Sequence, residues 1–397
     1  MKNILFVTIH LPYPPSSGAS MYNTFRIIQH LTKEHNVFFA SLLKDDDRQY
    51  ADEFLEATGI KEAYFEDLNV PRSISGLIKS YIKGLPLNLY RNYSETFVSK
   101  INELAGRSEI IWIDHYEAFQ YVPPLYQGKV ILRLHNAWYK MWERYAQLSR
   151  NPIKKMATYA ESKRVRSFEK EYCNRADKVL SASADSIYLE PDKEAREAKF
   201  SECLFLGDDS QLHLPVPAFE DLENAIIYVG TLTWEANIDG LEWFINGCWE
   251  KLKSANPDLK FYIIGKNPSP RLKKLAGRFE DIVLTGFIDD LEEYFTKCKV
   301  NVVPLRFGSG IKVKVINGLY RGIPIVTTSV GIESIDVKAD HHLIVADSHE
   351  EMISSINRLL QEKESWERIS KNAKQVAEEK FTWARLYENL DQVMEHI

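Results

Sequence analysis

The 397-residue chain is short of cysteine, of surplus charge and of long apolar runs, and each shortage removes a class of protein. Its four cysteines (Cys173, Cys203, Cys248 and Cys298) are scattered, with no CxxC pair. They read as packing thiols of a reducing compartment, not as a disulfide framework. Lysine and arginine total 50 against 56 aspartates and glutamates, a formal charge of -6. A nucleic-acid sleeve needs a strong basic excess, so no nucleic-acid partner is expected. No stretch reaches the roughly 18–20 apolar residues of a membrane-spanning helix. The opening MKNILFVTIHLPYPP is too briefly apolar for a secretory segment and suits a first core strand. A cytoplasmic location is expected, with peripheral contact at the inner face of the cell membrane left open.

Two nucleotide signatures are missing as well. A G-x-G-x-x-G fingerprint around GSGIKV would need a third glycine at 313, where Val313 stands, and LPYPPSSGAS after the first strand has no glycine triad. A nicotinamide dehydrogenase is excluded on that ground, and no P-loop pattern occurs.

What is present is an alternation. Short apolar runs such as NILFVTI (3–9), NVFFASLL (36–43), EIIWI (109–113) and KVILRL (129–134) are separated by segments of helical period. The pattern repeats in the second half with AIIYVG (225–230), LKFYIIG (259–265), DIVLTG (281–286), KVNVVP (299–304) and IPIVTT (323–328). Nearly continuous apolar strands alternating with helices predict parallel sheets covered on both faces. The polar, proline-bearing stretch 207–224 reads as a linker. The expected fold class is α/β, with two doubly wound Rossmann-like domains: 1–206, joined by the closing helix 381–397, and 225–380. In such sheets ligands bind outside the carboxyl ends of the strands, so the residues just after each strand carry the functional signal.

After strand 299–304 comes RFGSGIKVK. Gly308 and Gly310 let backbone N–H groups approach an anion, and a helix N-terminus follows. Lys312 and Lys314 fall in the first turn, where a cation opposes the helix dipole, so a bound phosphate would account for both. After strand 3–9, HLPYPPSSGASMYN leads into a second helix, with Ser17 or Ser20 as its cap and Gly18 and Ala19 as further N–H donors. His135 follows strand 129–134, and Asp114 and His115 follow strand 109–113. A histidine at such a place is either a packed residue or part of a site, and the sequence leaves both open. The aromatic and basic stretch 138–172 reads as an amphipathic helix pair covering the sheet.

These residues resemble a known family. GSGIKVKVINGLYRGIPIVTTSVGIESI, IIYVGTLTWEANIDGLEWFI and VLTGFIDDLEEYFTKCKVNVVPLRFG are similar to the donor-binding segments of retaining glycosyltransferases of the sucrose-synthase-like group (group 1, family 4) with the GT-B fold. IHLPYPPSSGAS resembles that family's first loop and FTWARLY its closing helix, which crosses back to the N-terminal domain. The resemblance implies a sugar transferase, metal-independent and without a cofactor, that uses a nucleoside diphosphate sugar such as a UDP- or GDP-sugar. It implies roles for Lys312 and Lys314 at the diphosphate, with the N–H groups of Ser309, Gly310, Ile311, Gly18 and Ala19. It places His135 near the reaction centre, Gly230 and Thr231 beside the donor, and Gly286, Phe287 and Ile288 at the nucleobase. Asn317 stands where the family commonly has a ribose-binding glutamate, and Thr231 where many members have arginine.

On the acceptor side the resemblance points to His115, Trp138, Tyr90 and Arg91, and to a glycan, lipid-linked or small-molecule acceptor in cell-envelope polysaccharide or glycoconjugate assembly. Two alternatives stay open. One is a catalytically impaired scaffold partner of another transferase, suggested by Asn317. The other is a sugar-nucleotide epimerase or phosphorylase on the same architecture.

Overall fold

A computed structural model describes the whole chain except residues 45, 72, 150 and 309, and only the backbone of Ser17, Ile74, Leu148 and Ser183. The apolar runs form two parallel sheets. In the first, β1 (Asn3–Thr8), β2 (Asn36–Leu43), β3 (Glu62–Asp67), β4 (Ile110–Asp114), β5 (Lys129–Arg133), β6 (Lys178–Ser181) and β7 (Phe200–Glu202) pair in the order β3-β2-β1-β4-β5-β6-β7. In the second, β8 (Glu223–Val229), β9 (Lys260–Ile264), β10 (Ile282–Gly286), β11 (Cys298–Val303), β12 (Ile325–Thr327) and β13 (Ile344–Val345) pair in the order β10-β9-β8-β11-β12-β13. Both are doubly wound, and the strand order turns over between β1 and β4 and between β8 and β11. The inner strands are buried on both faces, as their composition requires. The outer strands β3 and β7 carry charged residues and are half-buried, which is why no apolar run announces them.

The chain divides into a unit of Met1–Phe205 with Leu386–Ile397 and a unit of Leu206–Arg385. Residues 207–224 carry two short 3-10 turns, Asp209–His213 and Phe219–Asp221. Each unit has its own core: Leu5, Val7, Ile111, Ile113 and Leu132 are central in the first, and Ile226, Phe261, Ile263, Val300 and Val302 in the second. The closing helix Trp383–His396 buries Leu386, Leu390 and Val393. Within the first unit it is tied by Lys2 Nζ to Met394 O (2.6 Å) and by the His30 ring stacked 4.1 Å from that of Tyr387.

Two expectations need correction. Helix Ala19–Glu34 has Gly18 as its N-cap with no side-chain cap, so Ser20 does not cap it. The pair Trp138–Leu148 and Pro152–Arg175 does cover the sheet through Val165, Tyr172 and Cys173, but residues 152–157 are all exposed at the start of the longer helix.

Candidate active site

In the C-terminal unit the chain leaves β11 through a turn that glycine makes feasible. Gly308 (φ 147°) and Gly310 (φ 73°) hold backbone angles that side chains disfavour. The turn is tied down from beneath. The hydroxyls of Thr327 and Thr328 donate to the carbonyls of Val303 and Leu305, and Arg306 grips both carboxylate oxygens of Asp239. Helix Val313–Arg321 then begins, with Lys312 as N-cap, no side-chain cap and no acidic residue in the first turn. Its positive end is therefore unanswered by its own sequence.

Lys314 reaches from this helix to the end of β8. Its Nζ donates to Tyr228 Oη (2.7 Å) and Asn237 Oδ1 (2.8 Å), and Asn237 is itself held by Thr231 O (2.8 Å). Both partners are neutral, and among the described residues no carboxylate pairs with Lys314. Burial, and after it the charge of Lys312, lower the Lys314 pKa to about 7. Lys312 differs from the expectation of two unanswered cations. It is buried, donates to Gly310 O (2.6 Å) and lies 3.5 Å from Glu333 Oε2.

Gly230 leaves room for this amine, since a Cβ there would lie 2.6 Å from Lys314 Nζ. Gly265 in turn leaves room for Gly230: its Cβ would lie 1.9 Å from the Gly230 carbonyl oxygen. Because that neighbour is backbone, Gly265→Ala is expected to destabilise the protein by about 1–3 kcal/mol. The denaturant midpoint reads this directly.

The other donor-side residues scatter more widely. Gly286 (φ 79°) opens onto free space, and Phe287, 49% exposed, lies under Lys266 with Nζ 3.9 Å from the ring centre. Ile288 packs on a small core cluster, Ile311 is half-buried and Thr231 is exposed. Asn317 Oδ1 is buried without a hydrogen-bond partner, and a Cβ on Gly207 would come within 1.7 Å of it. The carboxamide oxygen is thus turned onto the Gly207 backbone. Ser309 lies outside the described residues.

In the N-terminal unit the strand ends converge on Asp114, which is fully buried at the end of β4. Arg133 Nη1 from the end of β5 donates to Asp114 Oδ1 (2.9 Å) and to Thr24 Oγ1 (3.0 Å), and Thr24 donates to Asp114 Oδ2 (2.9 Å). His135 Nε2 lies 2.9 Å from Asp114 Oδ2, and its Nδ1 lies 2.9 Å from Ser20 Oγ. Desolvation works against the Asp114 charge, but His135 and Arg133 outweigh it and hold the acid well below the usual carboxylate range. Burial lowers the His135 pKa despite Asp114. A neutral ring with Nε2–H donated to Asp114 leaves Nδ1 as acceptor for the Ser20 hydroxyl. The ring of His115 (φ 78°) stacks 3.5 Å from that of His135, and burial lowers its pKa too.

Sequence reading singled out His135 and His115, gave no role to Arg133 or Thr24, and took Ser20 only as a candidate helix cap. Their one signal is that each directly follows or ends a strand, or falls in the helix after it. Of the acceptor-side residues, Arg91 Nε donates to Val70 O (2.6 Å), Tyr90 is half-buried under Lys83, and the buried Trp138 Nε1 lacks a hydrogen-bond partner. The ligand atoms of Asp114, His115 and His135 lie within 4.8 Å of one another, close enough for a metal ion. Arg133, however, already supplies the cation to Asp114, and its Nη1 lies 3.2 Å from His135 Nε2. A divalent ion there would meet a guanidinium, so these residues fit a metal poorly.

Two parallel-sheet Rossmann-like domains with a closing helix returning to the first define a GT-B glycosyltransferase fold. The comparisons bear this out over the whole chain. HepE from Anabaena, solved with UDP and glucose, superposes with a TM-score of 0.69 at 13% identity, covering 100% of both chains. Sucrose-phosphate synthase from Thermosynechococcus elongatus gives 0.69 at 15% identity, with 100% of this chain and 99% of that chain covered. Residues 223–362, in the C-terminal unit, match the model of the glycosyl transferases group 1 family. A 44.6-kDa protein of the cps region of Klebsiella pneumoniae is 23% identical over 364 residues, spanning 87% of this chain and 88% of that protein.

Proposed function

We propose that the chain transfers a hexose from a nucleoside diphosphate sugar to an acceptor hydroxyl in the assembly of an envelope polysaccharide, with net retention and without a metal ion. The group 1 domain supports the reaction class, and the cps-region relative supports the setting. The observation that carries the donor assignment is Lys314, a half-buried cation whose hydrogen-bond partners among the described residues are neutral, beside a helix N-terminus that has no acid of its own. A diphosphate supplies the missing negative charge. As the bond from sugar C1 to the diphosphate oxygen breaks, charge grows on the leaving group. Lys314, Lys312 and the N–H groups of the helix start hold that charge in place of a metal. The acceptor oxygen bonds to C1 on the face being vacated and its proton passes to the leaving phosphate oxygen. His135, neutral and fixed by Asp114, orients the Ser20 hydroxyl as a hydrogen-bonding group of the N-terminal unit for an acceptor.

Incubation with UDP- and GDP-hexoses, read by mass spectrometry, tests the reading. Donor hydrolysis or transfer is expected with at least one of them, and silence across the panel would contradict it.

The depressed Lys314 pKa has a signed consequence. An anion at Nζ favours the ammonium, so binding a nucleoside diphosphate at pH 8 should take up a proton. Calorimetry in buffers of different ionisation enthalpy is expected to show uptake of up to about one proton, absent in Lys314→Met. The same group acts on folding. Its folded pKa of about 7 lies below the unfolded value, so the cost of burying it is full below pH 7 and eases as the pH rises above 7.

A further inference from the structure

Six of the fourteen large apolar side chains exposed among the described residues sit on two neighbouring helices of the N-terminal unit. Helix Ile74–Ile82 turns Ile78 (56% exposed), Tyr81 and Ile82 (81%) outward, at the three- and four-residue spacing of one helical face. The start of helix Pro152–Arg175 exposes Ile153 (74%), Met156 (71%) and Tyr159. The two are clamped together. Arg164 on the second helix donates to Ser80 O (3.0 Å) on the first and to Leu85 O just after it, and its guanidinium lies 3.9 Å over the Tyr81 ring.

A helix of a water-soluble unit normally faces its apolar stripe inward. Here apolar side chains of both helices face out. Within residues 74–83 and 152–166 the exposed charge has one sign. Lys79, Lys83, Lys154, Lys155 and Lys163 are all exposed, while the one acid in residues 74–83 and 152–166, Glu161, is buried against Arg164. This occurs on a chain whose formal charge is -6.

We propose that these two helices dock the N-terminal unit on an anionic lipid surface, with Ile78, Ile82, Ile153 and Met156 entering the headgroup boundary and the five lysines meeting lipid phosphates. Exposed apolar residues rimmed by lysine are what an interfacial helix needs: apolar area for the acyl boundary and cations for the headgroups. Lysine stems add apolar area while their ammonium groups stay in the polar layer. No described helix is long and apolar enough to cross a membrane, so contact is peripheral. A second copy of the chain fits worse, because a symmetric interface would set the same five lysines against each other. The inference is independent of the glycosyl-transfer reading, since lipid binding is read without any sugar.

The test is co-sedimentation of the full chain with vesicles of phosphatidylcholine alone and of phosphatidylcholine with about 30% phosphatidylglycerol. Binding is expected only to the second and should fall with added salt. Lys154→Glu and Lys155→Glu should each weaken partitioning about fivefold or more. Ile82→Glu combined with Met156→Glu should lower it at least about tenfold. These positions are exposed, so the variants should keep the wild-type circular dichroism and melting point. Leu125→Glu, at an equally exposed apolar residue on the loop before β5, should bind as wild type does. The proposal is overturned if wild type ignores the anionic vesicles, binds both kinds alike, or is matched by the Ile82/Met156 variant. It is equally overturned if that variant merely dissolves a dimer while vesicle binding is absent.

Discussion

Lys314→Met is expected to lower turnover by about 10²–10³ while leaving the thermal midpoint unchanged or higher. The two halves of this expectation come from the same geometry. Without ligand, Lys314 is a desolvated cation whose hydrogen bonds go to a phenol and a carboxamide, and burial drives its pKa down to about 7. A buried charge without a counter-charge is a cost to the fold. An apolar side chain of similar length removes that cost. When charge develops on a leaving diphosphate the same desolvation works in reverse, because a preorganised cation in a water-poor site acts more strongly than one in solvent. A residue kept only for packing would show neither effect. Lys312→Ala should separate from it. That change removes a buried cation 3.5 Å from the Glu333 carboxylate, so stability should fall along with turnover. Steady-state kinetics and a melting curve on both variants read the contrast.

Asp114→Ala is expected to cost about 3–5 kcal/mol, the largest single-site loss of stability predicted for the N-terminal unit. The carboxylate is fully buried, and it is the partner of an equally buried guanidinium, Arg133, as well as of Thr24 and His135. Removing it leaves Arg133 charged, dry and unpaired. Its pH dependence follows from the direction of the shift. The folded state holds the Asp114 pKa well below the unfolded carboxylate value. Its stabilisation is therefore complete above the unfolded value and is lost as the pH falls toward the folded one. Acid unfolding should accordingly be less steep in Asp114→Asn, measured by urea midpoints across the acidic range. Because Asp114 also fixes the His135 tautomer, Asp114→Asn should lower turnover even at pH 7.

Much of the fold could be read from the residues because the inner strands are short, mostly apolar runs rich in β-branched residues. NILFVT and CKVNVV can be buried on both faces and do little else. The edge strand EAYFED sets charged residues at both ends of a short aromatic pair and is half-buried, so nothing in it separates strand from turn. The cluster at the strand ends was legible only where a residue type was unusual for its place. Two lysines at a helix start and a histidine after an apolar strand stand out. Tyr228 and Asn237, which hold Lys314, do not, because a tyrosine within a strand and an asparagine near a helix start are ordinary there. Neither could the sequence distinguish Lys312 from Lys314. Glu333, twenty-one residues downstream, answers the first through a tertiary contact that no local pattern encodes. Asn317 shows the same limit. As a departure from a family pattern it was visible, but the burial of its Oδ1 against Gly207 comes from packing across more than 100 residues of chain.

Isothermal calorimetry of UDP and GDP binding to wild type and Lys314→Met tests the donor-site assignment most directly, because it needs neither the sugar nor the acceptor to be known. Saturable binding of at least one nucleotide to wild type, lost in a Lys314→Met protein that remains folded, is the predicted result. Undiminished binding to the folded variant, or none of either nucleotide to wild type, would contradict it.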